Sequence, residues 1–253
     1  MRMLRVLEGV VARRLLITYR VDPEVAARIL PPPLEPLVYA GAAIAGISLI
    51  RIAELRPRGL TPIAGLTIEN LSHRFAVTTR DDGGERRPGV LILRRDTESR
   101  LVATLGGPLF SGSHHRARFE VEEDERRLRL AVKSDDSSAD VEVEVDWAAA
   151  FTPSRTFTTL EEAKCFYQEC EHGFQGGARP GEIAAVRLKG LPWRAEAVRL
   201  KCARSRYFEN EKLFPEGAVE LDSAIAMRSL PHEWVEVKEV PEILEEPLLP
   251  QMA

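Results

Sequence analysis

A carboxylate, a pair of histidines and a set of arginines stand inside otherwise apolar sequence, and these residue types could do acid–base chemistry on a small acid. Glu69 lies in Leu66-Thr67-Ile68-Glu69-Asn70-Leu71, where a carboxylate in mid-strand must be paired, exposed or functional because burying it alone is costly. His114, His115 and Arg116 follow the turn Ser111-Gly112-Ser113. Adjacent histidines in extended chain point to opposite sides, so at most one of the two enters a given pocket. An imidazole titrates near neutrality and shuttles protons, and Arg116 beside it favours the neutral ring. Glu69 and His114 thus form a candidate acid–base pair for enolisation, hydration or dehydration. Arg13, Arg14 and Arg20 flank the first apolar run, and a guanidinium is the group that grips a carboxylate by two parallel hydrogen bonds. Ser113, His73, His115 and Arg116 complete the candidate substrate-binding set with Arg13 and Arg20.

The elements that must position these groups are mostly strands. Leu15 to Tyr19 is a short apolar run. Asp22, Pro23 and Glu24 make an N-cap, a first-turn proline and a favourable dipole charge, and Pro31 to Pro33 end that helix. The stretch from Val38 to Ile52 is broken by Gly41 and Gly46 and reads as a strand buried on both faces. In Leu66 to Thr79, Glu69, Leu71, His73, Phe75 and Val77 share one face, and Ile68, Asn70, Ser72 and Arg74 share the other. Gly89 to Arg95 is its return strand, after a hairpin at Asp81-Asp82-Gly83-Gly84. Further strands are predicted at Leu101 to Leu105, Arg116 to Glu122, Arg126 to Ser134, Val141 to Trp147, Ile183 to Lys189, Ala195 to Tyr207, Ala218 to Arg228 and Trp234 to Val240. Thr159-Leu160-Glu161-Glu162 is a capping box opening a helix with Leu160, Ala163, Phe166, Tyr167 and Cys170 on its buried side. Many strands and two convincing helices predict a mainly β chain with minor α: one antiparallel barrel domain over residues 1–240 with a few flanking helices, and a loose tail over 241–253.

Composition narrows the partners. A formal net charge of -4 supplies no basic field for nucleic acid. The arginine clusters Arg86-Arg87, Arg94-Arg95 and Arg126-Arg127-Leu128-Arg129 have acidic neighbours and read as solvated strand faces. Three cysteines frame no disulfide set and suit a reducing, cytoplasmic setting. Cys165 and Cys170 diverge on a helix, and Glu69, His73 and His114 give no ligand spacing that can be verified. No metal and no cofactor are therefore expected. No run is long enough to span a bilayer, so no membrane partner is expected either.

The run Tyr19-Arg20-Val21-Asp22, with Ala26, Ile29-Leu30-Pro31 and Pro33-Leu34-Glu35, resembles the opening of acetoacetate decarboxylase. Glu69 falls where that enzyme has its active-site glutamate. The segment Leu105-Gly106-Gly107-Pro108-Leu109-Phe110-Ser111-Gly112-Ser113-His114-His115 resembles the one that ends in its paired lysines. The chain is most similar to the YqjF-like branch of the superfamily, a domain of unknown function. The resemblance implies a cone-shaped β-barrel with a small-molecule pocket, and His114 and His115 stand at the lysine positions. Imidazole forms no iminium electron sink, so Schiff-base decarboxylation is not expected, although Lys201 is an amine to consider. The ligand expected is a small oxo or carboxylic acid. The alternatives are a lyase or hydratase using Glu69 and His114, and a non-catalytic structural barrel. Strand edges that gain from pairing make a homo-oligomer the expected assembly.

Overall fold

The computed structural model describes residues 6–57, 67–80, 84–100, 102–104, 114–170, 172–176, 183–190 and 193–237. Residues 81–83 of the expected hairpin, Ser113, the end of the expected last strand at 238–240 and the tail from 241 lie outside the described residues. In chain order the elements are β1 (Val6–Val21), α1 (Pro23–Ile29), β2 (Glu35–Pro36), β3 (Val38–Tyr39), β4 (Ala42–Pro57), β5 (Thr67–Arg80), β6 (Arg86–Thr97), β7 (His115–Glu123), β8 (Arg127–Ser134), β9 (Val141–Trp147), α2 (Leu160–Glu169), β10 (His172–Gly176), β11 (Ile183–Gly190), β12 (Glu196–Ser205) and β13 (Val219–Val237).

Strands β13, β1, β4, β5, β6, β7, β8, β9 and β12 pair edge to edge, and β12 returns to β13, closing a barrel. Strands β10 and β11 also link β6 to β13, so a second circuit shares the wall β6-β5-β4-β1-β13. Most pairings are antiparallel as expected, but β6–β7 and β10–β6 are parallel. The chain between β6 and β7 is a crossover rather than a hairpin, and that length permits the parallel match.

The shared wall is apolar on both faces, which is why β1 and β4 read as near-continuous hydrophobic runs. Leu15, Ile17, Tyr19, Leu49, Leu71, Phe75 and Val77 turn into the barrel with Leu128, Leu130, Val143 and Val198. Leu16, Ile44, Ala76, Val90 and Ile225 turn the other way and pack against Ala163, Phe166, Tyr167 and Cys170 of α2. Gly46 allows the close approach of β1, because a Cβ there would lie 2.3 Å from the Ile17 carbonyl oxygen. α1 is capped as its sequence predicts, with Asp22 accepting from Glu24 N–H at 2.8 Å and Val25 N–H at 3.2 Å. Thr159 Oγ1 caps α2 by accepting from Glu162 N–H at 3.1 Å. Glu162 reaches back one residue further than a capping box requires, to the Thr158 N–H.

Two expectations are corrected. Residues 102–104, expected in a strand, are helical: Ser99 Oγ accepts from Val102 N–H at 3.2 Å, and Ala103 N–H reaches the Ser99 carbonyl at 2.9 Å. A serine that can cap has overridden the β-branched residues. The last two expected strands are one, β13, which runs through Pro231 because β1 pairs with it from Val219 to Val235.

Candidate functional site

Strand alternation sends Arg13, Glu69 and His73 into the barrel. Arg13 Nη2 grips Glu69 with bonds of 2.9 and 2.8 Å, and its Nη1 donates to Glu123 Oε2 at 2.6 Å. The arginine side chain is 1 % exposed and the glutamate 8 %, so the pair is desolvated. Arg51 Nε stands 3.9 Å from Glu69 Oε1, and Glu98 Oε1 accepts from the Glu69 N–H at 2.9 Å. Burial raises the Glu69 carboxyl above the ordinary carboxylate range, against the pull of Arg13 and Arg51.

His73 stands four residues further along β5, about 13 Å at 3.3 Å per residue, and has its own surroundings. Its Nε2 is 2.9 Å from Ser205 Oγ, and its ring lies 4.7 Å from that of Tyr207. It is fully buried, and burial followed by the charge of Arg94 lowers its pKa to about 3, so it is neutral. Glu69 and His73 share a face as expected but are not brought to one point. Among the described residues there is no cluster of three or more His, Cys, Asp or Glu suited to a metal.

His114 is partly buried and His115 exposed at the start of β7, where His115 pairs with Asp96 of β6. Arg116 pairs with Thr97 in the same register. Arg116 and Arg118 line a cavity of about 400 Å³ with Arg100, Ala103, Thr104 and Asp135. Arg116 Nη1 is buried and has no hydrogen-bond partner. The Thr104 hydroxyl, also in the lining, donates to the Arg100 carbonyl at 2.8 Å. Of the expected site residues, this cavity therefore takes Arg116, two residues beyond His114. Arg20 is used to tie loops, donating to Ala40 O at 2.9 Å and to Thr156 Oγ1 at 3.3 Å. Lys201 is 45 % exposed and pairs with Asp146 at 2.9 Å.

Sequence reasoning missed the depth of the arginines on the wall. Arg94, expected on a solvated face, is 9 % exposed and bonds to Asp96 at 2.8 Å and Asp136 at 2.7 Å. Arg74 and Arg14 are buried on the face beneath α2, with Arg95 partly buried beside them. By contrast Arg86, Arg87, Arg126, Arg127 and Arg129 are exposed as expected. The available signal was position: Arg74 and Arg94-Arg95 adjoin Phe75-Ala76-Val77 and Leu91-Ile92-Leu93, mid-strand runs, whereas the exposed arginines sit at strand ends or alternate with core residues.

The closed barrel, its shared wall and its capping helices define an acetoacetate decarboxylase-like fold. The chain belongs to the family described as DUF2071, an uncharacterized conserved protein, whose model matches residues 11–226. Acetoacetate decarboxylase from Legionella pneumophila has a TM-score of 0.58 and 14% identity, over 91% of this chain and 84% of that one. The enduracididine biosynthesis enzyme MppR complexed with pyruvate has a TM-score of 0.58 and 13% identity, over 91% and 87%. An acetoacetate decarboxylase-like enzyme from Sphingomonas wittichii RW1 has a TM-score of 0.55 and 12% identity, over 91% and 90%. At these identities the likeness is one of fold. No curated protein matches the chain. Among the described residues no helix is long and apolar enough to cross a membrane.

Proposed function

We propose that this protein binds a small oxo or carboxylic acid in the cavity at Arg116, without a Schiff-base lysine. The observation that carries this reading is a cavity of about 400 Å³ lined by three arginines, none of which has an ion-pair partner among the described residues. That volume suits a small ligand. Arg116, with its buried unpartnered Nη1, supplies the fork for a carboxylate, and Arg100 and Arg118 add charge. Asp135 brings the one negative charge among the described lining residues and suits a ligand hydroxyl. His114 and His115 stand two and one residues before Arg116 and are the groups to move a proton on such a ligand. The pyruvate complex of MppR, a relative in fold, supports an oxo acid as the ligand class. A cytoplasmic setting and a homo-oligomer belong to the same proposal.

Pyruvate and acetoacetate, titrated calorimetrically, are expected to bind, with at least tenfold weaker binding in Arg116→Ala and no stable mass adduct after borohydride reduction. Binding unchanged in Arg116→Ala would remove the site from this cavity, and a reduced adduct on a lysine would restore the Schiff-base route.

A second reading, a non-catalytic barrel, is favoured by the state of Glu69. Its two oxygens are occupied by Arg13, so use of Glu69 with His114 as an acid–base pair, the lyase or hydratase alternative, requires that ion pair to open.

A further inference from the structure

We infer that the wall face beneath α2 binds a compact oxyanion of two or more negative charges through Arg14, Arg74 and Arg95. This site is separate from the Arg116 cavity.

Cross-strand register gathers the three arginines. Ser48 of β4 lies opposite Ser72 of β5, and Ser72 lies opposite Arg95 of β6. Arg74 is the next residue on that face of β5, and Arg14 of β1 reaches across to donate from Nε to Ser48 Oγ at 3.2 Å. The guanidinium of Arg74 lies close enough to disfavour charge on Arg14. Burial and this repulsion lower Arg14 to about 9, and burial lowers Arg95 to about 10.

Among the described residues, what Arg14 and Arg74 touch is not anionic. Arg14 stands 5.5 Å over the Trp193 ring, and Arg74 stands 5.5 Å over the Tyr167 ring. Arg14 is 8 % exposed and Arg74 7 %, and Arg74 Nη2 is buried without a partner. Among the described residues no carboxylate pairs with any of the three. Two acids that act on the α2 residues here are engaged or peripheral: Asp222, which acts on Tyr167, accepts from Ser154 Oγ and Thr156 N–H, and Glu169, which acts on Cys170, lies at the end of α2. Tyr167 is hydrogen bonded to Thr18 at 2.7 Å.

An arginine cannot shed its proton in a folded protein, so burying it calls for a counter-charge. Elsewhere this chain provides one: Arg13 has Glu69 and Glu123, and Arg94 has Asp96 and Asp136. Ring faces attract a cation but do not neutralise it. Three guanidiniums with the Ser48 and Ser72 hydroxyls between them match an oxyanion with several acceptor oxygens and more than one charge. Ser72 and Arg95, both partly exposed, mark the side from which it enters.

The test is thermal shift and calorimetry on the full chain with inorganic phosphate, malonate and pyruvate. Phosphate or malonate is expected to raise the melting midpoint more than pyruvate at equal concentration. Arg74→Met is expected to weaken that dianion at least tenfold without lowering the midpoint of the ligand-free protein, because a buried unpaired charge has been removed. Arg14→Gln, which keeps a donor for Ser48, is expected to weaken it similarly and keeps the test open if Arg74→Met does not fold. Arg116→Ala is expected to leave phosphate binding intact. The inference is overturned if neither dianion shifts the midpoint, if pyruvate matches them, or if binding survives Arg74→Met or Arg14→Gln and is lost in Arg116→Ala. The last result would place the anion in the Arg116 cavity and leave the proposed function standing.

Discussion

The two faces of one wall solve the same electrostatic problem in opposite ways. Toward the barrel, Arg13 and Arg94 are each clasped by two carboxylates, closing their charge within the protein. Toward α2, Arg14 and Arg74 are as deeply buried but meet a serine, aromatic rings and each other. The first arrangement is self-sufficient and contributes to the fold. Among the described residues the second holds no carboxylate, and an open charge of that kind is what the proposed oxyanion would close.

The sharpest way to break this contrast is to unpair the closed side. Glu69→Ala leaves Arg13 buried with Glu123 alone, and the expected loss is about 3–5 kcal/mol in urea denaturation, with Arg74→Met near neutral beside it. A loss below 1 kcal/mol would mean the barrel-side pair is no more structural than the arginines beneath α2. The next effect is one of pH. Folded His73 titrates at about 3 against 6.5 unfolded, so the unfolded chain takes up a proton first as the pH falls. Its contribution is complete above pH 6.5 and is lost progressively between 6.5 and about 3, with a slope of up to about 1.4 kcal/mol per pH unit. Stability read by urea denaturation should therefore fall more steeply between pH 7 and 4 for the native chain than for His73→Phe; equal slopes would show that the imidazole takes up its proton as readily in the fold as in the unfolded chain. The smallest effect falls on the lid. Thr159→Ala removes the α2 cap and should cost about 1 kcal/mol, read as a lower melting midpoint. An unchanged midpoint would show α2 held by Phe166 and Tyr167 alone.

Much of the frame was legible because it rests on local rules. The Asp22 cap, the Thr159 cap and the alternation of Glu69, Leu71, His73, Phe75 and Val77 follow from spacing alone. The crossover into β7 and the joining of β13 were not legible, since both depend on which distant strand supplies an edge. Among candidate site residues, Arg116 reaches a cavity, whereas Glu69 and Arg13 meet each other. Spacing could assign each a face but could not show that the two faces meet across β4. Arg94 and Arg95 read as solvated because neighbouring acids are visible in sequence, whereas the groups that bury them come from far along the chain: Asp136 clasps Arg94 from 42 residues on, and the helix that covers the other face, beside Arg95, begins more than sixty residues later, at Leu160.

Because β1 serves both faces, neighbouring letters of its sequence answer to different tasks: Arg13 to the enclosed ion pair, Arg14 to the serine-lined face. Substitutions can therefore change one compartment while sparing the other, and the family is free to alter its chemistry without redesigning its scaffold. Insertions or deletions have no such freedom. A one-residue slip within the wall exchanges the contents of the two compartments, sending Arg14 toward Glu69 and Arg13 beneath the helix. Among relatives of this chain, length within β1, β4 and β5 should be guarded more strictly than identity.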